Sequence, residues 1–194
     1  MTDTNQTSMY PLRDWLFATA QERHRPPHAP AGGIAIFITA STLDRLALLE
    51  TRSRRTAFQE LIHSSAREFE IELVSWVILR EHYHVIAVPQ GDASISQWVQ
   101  ALHRRSSTHW NREDVTEGRQ CWYQHWDRTL WTEGDLLSRV NYIHCNPVKH
   151  GYVEEPGAWT WSSFRDWLAR EAESDIADRL ARFPAPRRVP GDDF

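Results

Sequence analysis

A single lysine, Lys149, stands among 194 residues; the other 21 basic residues are arginines. Arginine forks suit phosphate and base contacts, although compositional bias accounts for the ratio equally well. Cysteine is also scarce. Cys121 and Cys145 form no CxxC pair, which argues against a cysteine-based zinc site or a disulfide framework and for two reduced thiols. No apolar run approaches the roughly 20 residues that span a membrane, and the polar start Met1 to Tyr10 lacks a signal peptide's apolar stretch. A cytoplasmic protein with no membrane partner is the expectation. A basic excess is missing too: the net charge is −4. That argues against nonspecific, tight nucleic-acid binding but leaves room for a local basic patch. What the chain has in abundance is tryptophan, ten in all, some for the core and, if exposed, suited to stacking on bases. The length allows one domain with a full core and an appendage.

Residues 1–30 read as an N-terminal arm, with a short helical pattern around Trp15, Leu16 and Phe17 before the Pro-rich Arg25-Pro26-Pro27-His28-Ala29-Pro30. The catalytic domain is placed at 31–155, and 156–194 is read as a C-terminal helix with a flexible tail packing on that domain. Gly33 to Thr39 is a β-branched apolar run bounded by glycine, a buried strand. Residues 42–68 carry helical spacing, with a possible break at Thr51-Arg52-Ser53-Arg54-Arg55. Glu70 to Leu79 and His82 to Val88 read as strands joined by a turn at Arg80-Glu81. Residues 94–111 return to helical spacing, with Ile95, Trp98, Val99 and Leu102 on one face. After a polar loop, Tyr123 to Trp131 has weak strand character. Thr132-Glu133-Gly134-Asp135 matches a capping box for a helix from Leu136 to Asn146 that Pro147 should stop. Residues 157–170 suggest a further amphipathic helix. The order fits an α+β fold, a ferredoxin-like antiparallel sheet with helices on one face and a C-terminal helical extension.

His82 and His84 are two apart on a strand and so share a face, which makes half of a metal site. Tyr142 and Asn146 are four apart on a helix and also share a face. By themselves these spacings leave alternatives open. The histidines can be an incidental pair, Tyr142 an amphipathic core residue and Asn146 a helix C-cap.

The segment Val140-Asn141-Tyr142-Ile143-His144-Cys145-Asn146-Pro147-Val148-Lys149-His150-Gly151-Tyr152-Val153 resembles the signature of REP-associated tyrosine transposases, a branch of the single-tyrosine HUH transposases of bacteria. Trp159-Thr160-Trp161-Ser162-Ser163-Phe164 and Tyr123-Gln124-His125-Trp126-Asp127 look like further blocks of that family, and Arg80-Glu81-His82-Tyr83-His84-Val85-Ile86 looks like its HUH strand. The similarity spans roughly residues 28–170. Tyr83 at the central position and Leu79-Arg80-Glu81 before the pair depart from the commoner residues without removing a reacting group.

The resemblance implies an HUH endonuclease fold and a Mg²⁺ or Mn²⁺ ion held by His82, His84 and Asn146. It implies Tyr142 as the nucleophile that cleaves and rejoins single-stranded DNA through a 5′-phosphotyrosine. The implied partner is single-stranded hairpin DNA formed by palindromic repeats, with no small-molecule cofactor and a monomer rather than a dimer. Phosphate contacts are expected from Arg104, Arg105, Arg112 and Arg119. Rival readings are a catalytically inactive hairpin DNA- or RNA-binding regulator on the same fold, and a phosphodiesterase in which water attacks.

Overall fold

The computed structural model describes residues 34–170, 173–189 and 192; the arm and its helical pattern around Trp15 lie outside the described residues. The element order is β1 (Ile36–Ser41), a 3-10 turn (Leu43–Arg45), α1 (Arg52–Glu68), β2 (Ile71–Ile78), β3 (His82–Pro89), α2 (Ile95–Glu113), β4 (Trp126–Thr129), α3 (Glu133–Lys149), a second 3-10 turn (Pro156–Ala158), α4 (Phe164–Leu168) and α5 (Glu173–Arg182). The strands form one antiparallel sheet in the order β2-β3-β1-β4. The fold is α+β, as the sequence pattern indicates.

β3 is buried at every position, which explains why it reads as an apolar run rather than an alternation. Both faces are covered. Tyr83 points to the layer of α1 and α2, against Phe58 and Trp122 with ring centroids 5.5 and 5.4 Å away, and its hydroxyl lies 3.0 Å from His103 Nε2 on α2. That is the ferredoxin-like layer. Its neighbours His82 and His84 point to the other face, over which α3 lies. Seven tryptophans are buried in the core, while Trp126 and Trp131 are exposed. Among the described residues no helix is long and apolar enough to cross a membrane.

Helix starts follow their caps. Thr51 accepts from the Arg54 N–H at 3.2 Å, so the polar run read as a possible break is the start of α1. Thr132 accepts from the Asp135 N–H at 3.0 Å. Pro147 does not stop α3, which runs on to Lys149. The last turn closes through His150 N–H to Asn146 O (3.0 Å) and Tyr152 N–H to Pro147 O (2.9 Å). Neither bond needs the missing proline N–H, so the helix forfeits only the one bond from position 147 to the Ile143 carbonyl. Asn146 is therefore inside the helix, not its cap. The segment 157–170 is helical only at Phe164–Leu168. Trp159 and Trp161 instead run along the free edge of β2, where Ile78 N–H donates to Trp161 O and Ser163 N–H to Trp76 O, both at 2.9 Å. Pairing the exposed edge outweighs the local helical period.

Candidate active site

The alternation of β3 brings His82 and His84 together, ring centroids 5.1 Å apart, both fully buried. Each has its Nδ1 side engaged. His82 Nδ1 lies 3.0 Å from Glu81 Oε1, and His84 Nδ1 lies 2.9 Å from the hydroxyl of Thr39, its cross-strand partner in β1. With a proton on Nδ1 of both rings, each Nε2 would offer its lone pair to a ligand once the Asp192 carboxylate facing it gives way.

α3 presents Arg139, Tyr142, Asn146 and Lys149 at i, i+3, i+7 and i+10, one stripe facing the sheet. Tyr142 is buried, with its ring against His84 (5.3 Å) and Phe37 (6.2 Å). Its hydroxyl accepts a hydrogen bond from Lys149 Nζ at 3.2 Å. The chain's one lysine thus touches the candidate nucleophile.

Asp192 fills the centre of the site. Its Oδ1 lies 3.1 Å from His82 Nε2 and 3.2 Å from His150 Nε2. Its Oδ2 lies 3.5 Å from His84 Nε2 and accepts from Lys149 Nζ at 2.9 Å and Asn146 Nδ2 at 3.1 Å. Burial alone would raise this carboxyl, but the contacts with His82 and His84 outweigh it and hold it down at about 2. Burial pushes His84 down to about 4. Burial works against a proton on His82 as well, but Asp192 and Glu81 together overcome it and shift His82 upward.

Ligand atoms of His82, His84 and Asp192 lie within 4.8 Å of one another. His84 Nε2 and Asn146 Oδ1 are buried and hydrogen-bonded to no described residue. Two orphaned acceptors beside a carboxylate are what a divalent cation would satisfy, and the N, N, O donor set suits one. The residues therefore fit a metal centre, and the sequence-predicted His82, His84, Tyr142 and Asn146 meet in it.

The four arginines assigned to DNA do not meet this cluster. They lie on and just after α2, in the layer across the sheet. Arg104 and Arg112 are exposed. Arg105 forms a forked pair with Glu68 at 2.6 and 2.7 Å. Arg119 donates to Asp114 at 2.7 Å and to Asn111 at 3.1 Å. Sequence reasoning missed Thr39, Glu81, Lys149, His150 and Asp192. Only Lys149 carried a signal, as a lone lysine inside the tyrosine motif. Asp192 falls in the tail read as flexible.

Comparison with known proteins agrees with this fold. A family model described as "Transposase IS200 like" matches residues 34–155. The REP-associated tyrosine transposase of Escherichia coli (strain K12) is 29% identical over 158 residues, covering 79% of this chain and 90% of that protein. A putative REP-associated tyrosine transposase of Haemophilus influenzae is 28% identical over 129 residues, 61% of this chain and 71% of that one. A solved structure of a REP-associated tyrosine transposase bound to a REP hairpin shares the fold, with a TM-score of 0.61 at 24% identity over 88% of this chain and 94% of that one.

Proposed function

Because the chain belongs to the IS200-like transposase family, we propose that it cuts and rejoins single-stranded DNA next to a hairpin, with Tyr142 as nucleophile. The observation that supports this most is the meeting of the Tyr142 hydroxyl, the Lys149 ammonium and the buried His82, His84 and Asn146 side chains in one cluster around Asp192.

Tyr142 Oη attacks the phosphorus, the bond from phosphorus to the 3′ oxygen breaks, and that oxygen leaves as a 3′-hydroxyl. The 5′ phosphate stays on the tyrosine, so a 3′-hydroxyl can reverse the step and join strands without a nucleotide cofactor. An ordinary phenol titrates near 10. Lys149, 3.2 Å away, offsets the negative charge that grows on Oη as its proton departs. The packing of the ring between His84 and Phe37 fixes the direction of attack. His82, His84 and Asn146 would hold a divalent ion, Mg²⁺ or Mn²⁺ by chemistry, which when bound would supply positive charge at the phosphate. Glu81 and Thr39 orient the two imidazoles. The nucleophile and all donors come from one chain, which supports a monomer. The REP association of the two relatives and the REP hairpin bound in the solved structure support palindromic repeat DNA as the substrate, with exposed Arg104 and Arg112 available to its phosphates and Arg105 and Arg119 held by acidic partners.

The test is covalent capture. The protein is incubated with single-stranded repeat DNA from the flanks of its own gene and Mn²⁺, then denatured. The expected result is a cleaved strand and an adduct on the peptide that contains Tyr142. Cleavage without an adduct would make water the nucleophile, and binding without cleavage would make the protein a regulator.

A further inference from the structure

The row of side chains that includes His84 continues across the sheet. Thr39 pairs with His84 on one side and with Trp126 on the other, so Trp126 shares the face of the histidines. In the next row Phe37 pairs with Arg128. From α3, Arg139 lays its guanidinium over the Phe37 ring at 5.1 Å. Phe37, Thr39, Trp126, Asp127, Arg128 and Arg139 line a small open hollow bounded by Val189.

Two features of this hollow are unfavourable in the protein alone. Arg139 is only 8% exposed, its Nη1 is fully buried, and it makes no hydrogen bond or ion pair with any described residue. Burial acts most strongly against its charge and the neighbouring Arg128 adds to this, while Asp135, which sits 3.7 Å from Arg128, only partly offsets them. A buried cation is ordinarily paired, because leaving water uncompensated costs several kcal/mol. Trp126 is 55% exposed although seven other tryptophans are buried. A buried cation with no hydrogen-bonded anion among the described residues stands beside an indole that is more than half exposed. Arg139 also lies one turn before Tyr142 on the same stripe, so whatever occupies the hollow adjoins the nucleophile.

We propose that the hollow seats the nucleotide next to the scissile phosphate, its base stacked on Trp126 and its phosphate held by Arg139 and Arg128. This rests on the transposase reading of the Tyr142 site. Stacking on Trp126 requires an unpaired base, so the seat belongs to the single-stranded flank and not to the hairpin stem. It places strand recognition within one residue row of the metal donors.

The test uses the full chain, a hairpin oligonucleotide with a single-stranded flank, and Mn²⁺. Each flank position is changed in turn to an abasic site or to an uncharged methylphosphonate linkage, and affinity and adduct yield are read. The wild type should lose about tenfold in affinity at one abasic position and a similar factor at the linkage beside it. Trp126→Ala should be indifferent to that abasic site, while Trp126→Phe keeps the sensitivity. Arg139→Met should be indifferent to the uncharged linkage and should melt no lower than the wild type, since it removes an unpaired buried charge. If both variants keep the wild-type sensitivity at every position, or if Arg139→Met only lowers the melting temperature, the hollow is structural and the proposal fails. A wild type that neither binds nor cuts any hairpin would instead overturn the transposase reading, visibly so before any variant is made.

Discussion

Replacing Tyr142 with phenylalanine separates chemistry from stability sharply, and its cost can be worked from the contacts. The substitution removes one oxygen. The ring contacts with His84 and Phe37 remain. The hydroxyl's one hydrogen bond, to Lys149, is lost, but Lys149 keeps Asp192 at 2.9 Å and is partly open to solvent. A loss of about 1 kcal/mol follows for such a bond, which corresponds to roughly 2–4 °C in melting temperature for a domain of this size. Cleavage, by contrast, should fall by about 10⁴-fold or more if Tyr142 forms the covalent bond, some 5 kcal/mol in barrier height. Scanning fluorimetry measures the first quantity, and a denaturing gel of labelled oligonucleotide with Mn²⁺ measures the second. Tyr152 is the competitor to watch. Its hydroxyl donates to Glu81 at 3.2 Å and its ring stacks on His150. Burial and the Glu81 charge push it up to about 12, the wrong direction for a nucleophile. Undiminished cleavage by Tyr142→Phe, or an adduct mapped to Tyr152, would refute the assignment.

Mn²⁺ should raise the melting temperature of the wild type but not of His84→Ala, and Thr39→Val should weaken the ion by about 10–100-fold by freeing the His84 ring; equal Mn²⁺ stabilisation in all three would remove the metal centre from this pair. Asp192→Asn should destabilise the metal-free protein, because Lys149 loses its buried counter-charge, yet should speed adduct formation, because the carboxylate no longer competes with phosphate for Lys149 and the imidazoles. Slower adduct formation together with weaker Mn²⁺ binding would instead make Asp192 a ligand. Acid should destabilise the fold through His103 and His144, which burial pushes down to about 3. Between about pH 6 and pH 4 the unfolded chain holds these protons and the folded chain does not, so stability rises with pH by about 1.4 kcal/mol per unit for each. Denaturant melts at pH 5.5 and 4.5 measure the slope, and His103→Gln, which still offers Tyr83 an acceptor, should remove about half of this contribution.

Most of this architecture is written in local signals. The β-branched runs give β1 and β3, Thr132 gives the start of α3, and spacing alone puts His82 with His84 and Tyr142 with Asn146. What escapes is whatever depends on register or on distant chain. Thr39 reaches His84 because β1 and β3 pair in one particular register, which no local pattern reveals. Asp192 enters the site from 110 residues beyond His82. Arg105 on its helix and Arg119 in the loop after it look available only until Glu68 and Asp114 are placed beside them. Pro147 misleads in the opposite way, since the buried face of α3 carries the helix past the one bond that the proline forfeits.

β4 sits at the sheet edge, joined to β1 by four residue pairs and pinned by Tyr123 N–H to Ser41 O and Leu130 N–H to Ala35 O. Along it the residues run Trp126, Asp127, Arg128. A strand shifted by one residue turns every side chain to the opposite face, which would withdraw the indole and the guanidinium and present a carboxylate beside the nucleophile. The clamps at Tyr123 and Leu130 hold both ends of the strand against such a shift, so the backbone, not the side chains, keeps Trp126 and Arg128 on the face of Tyr142 and both histidines.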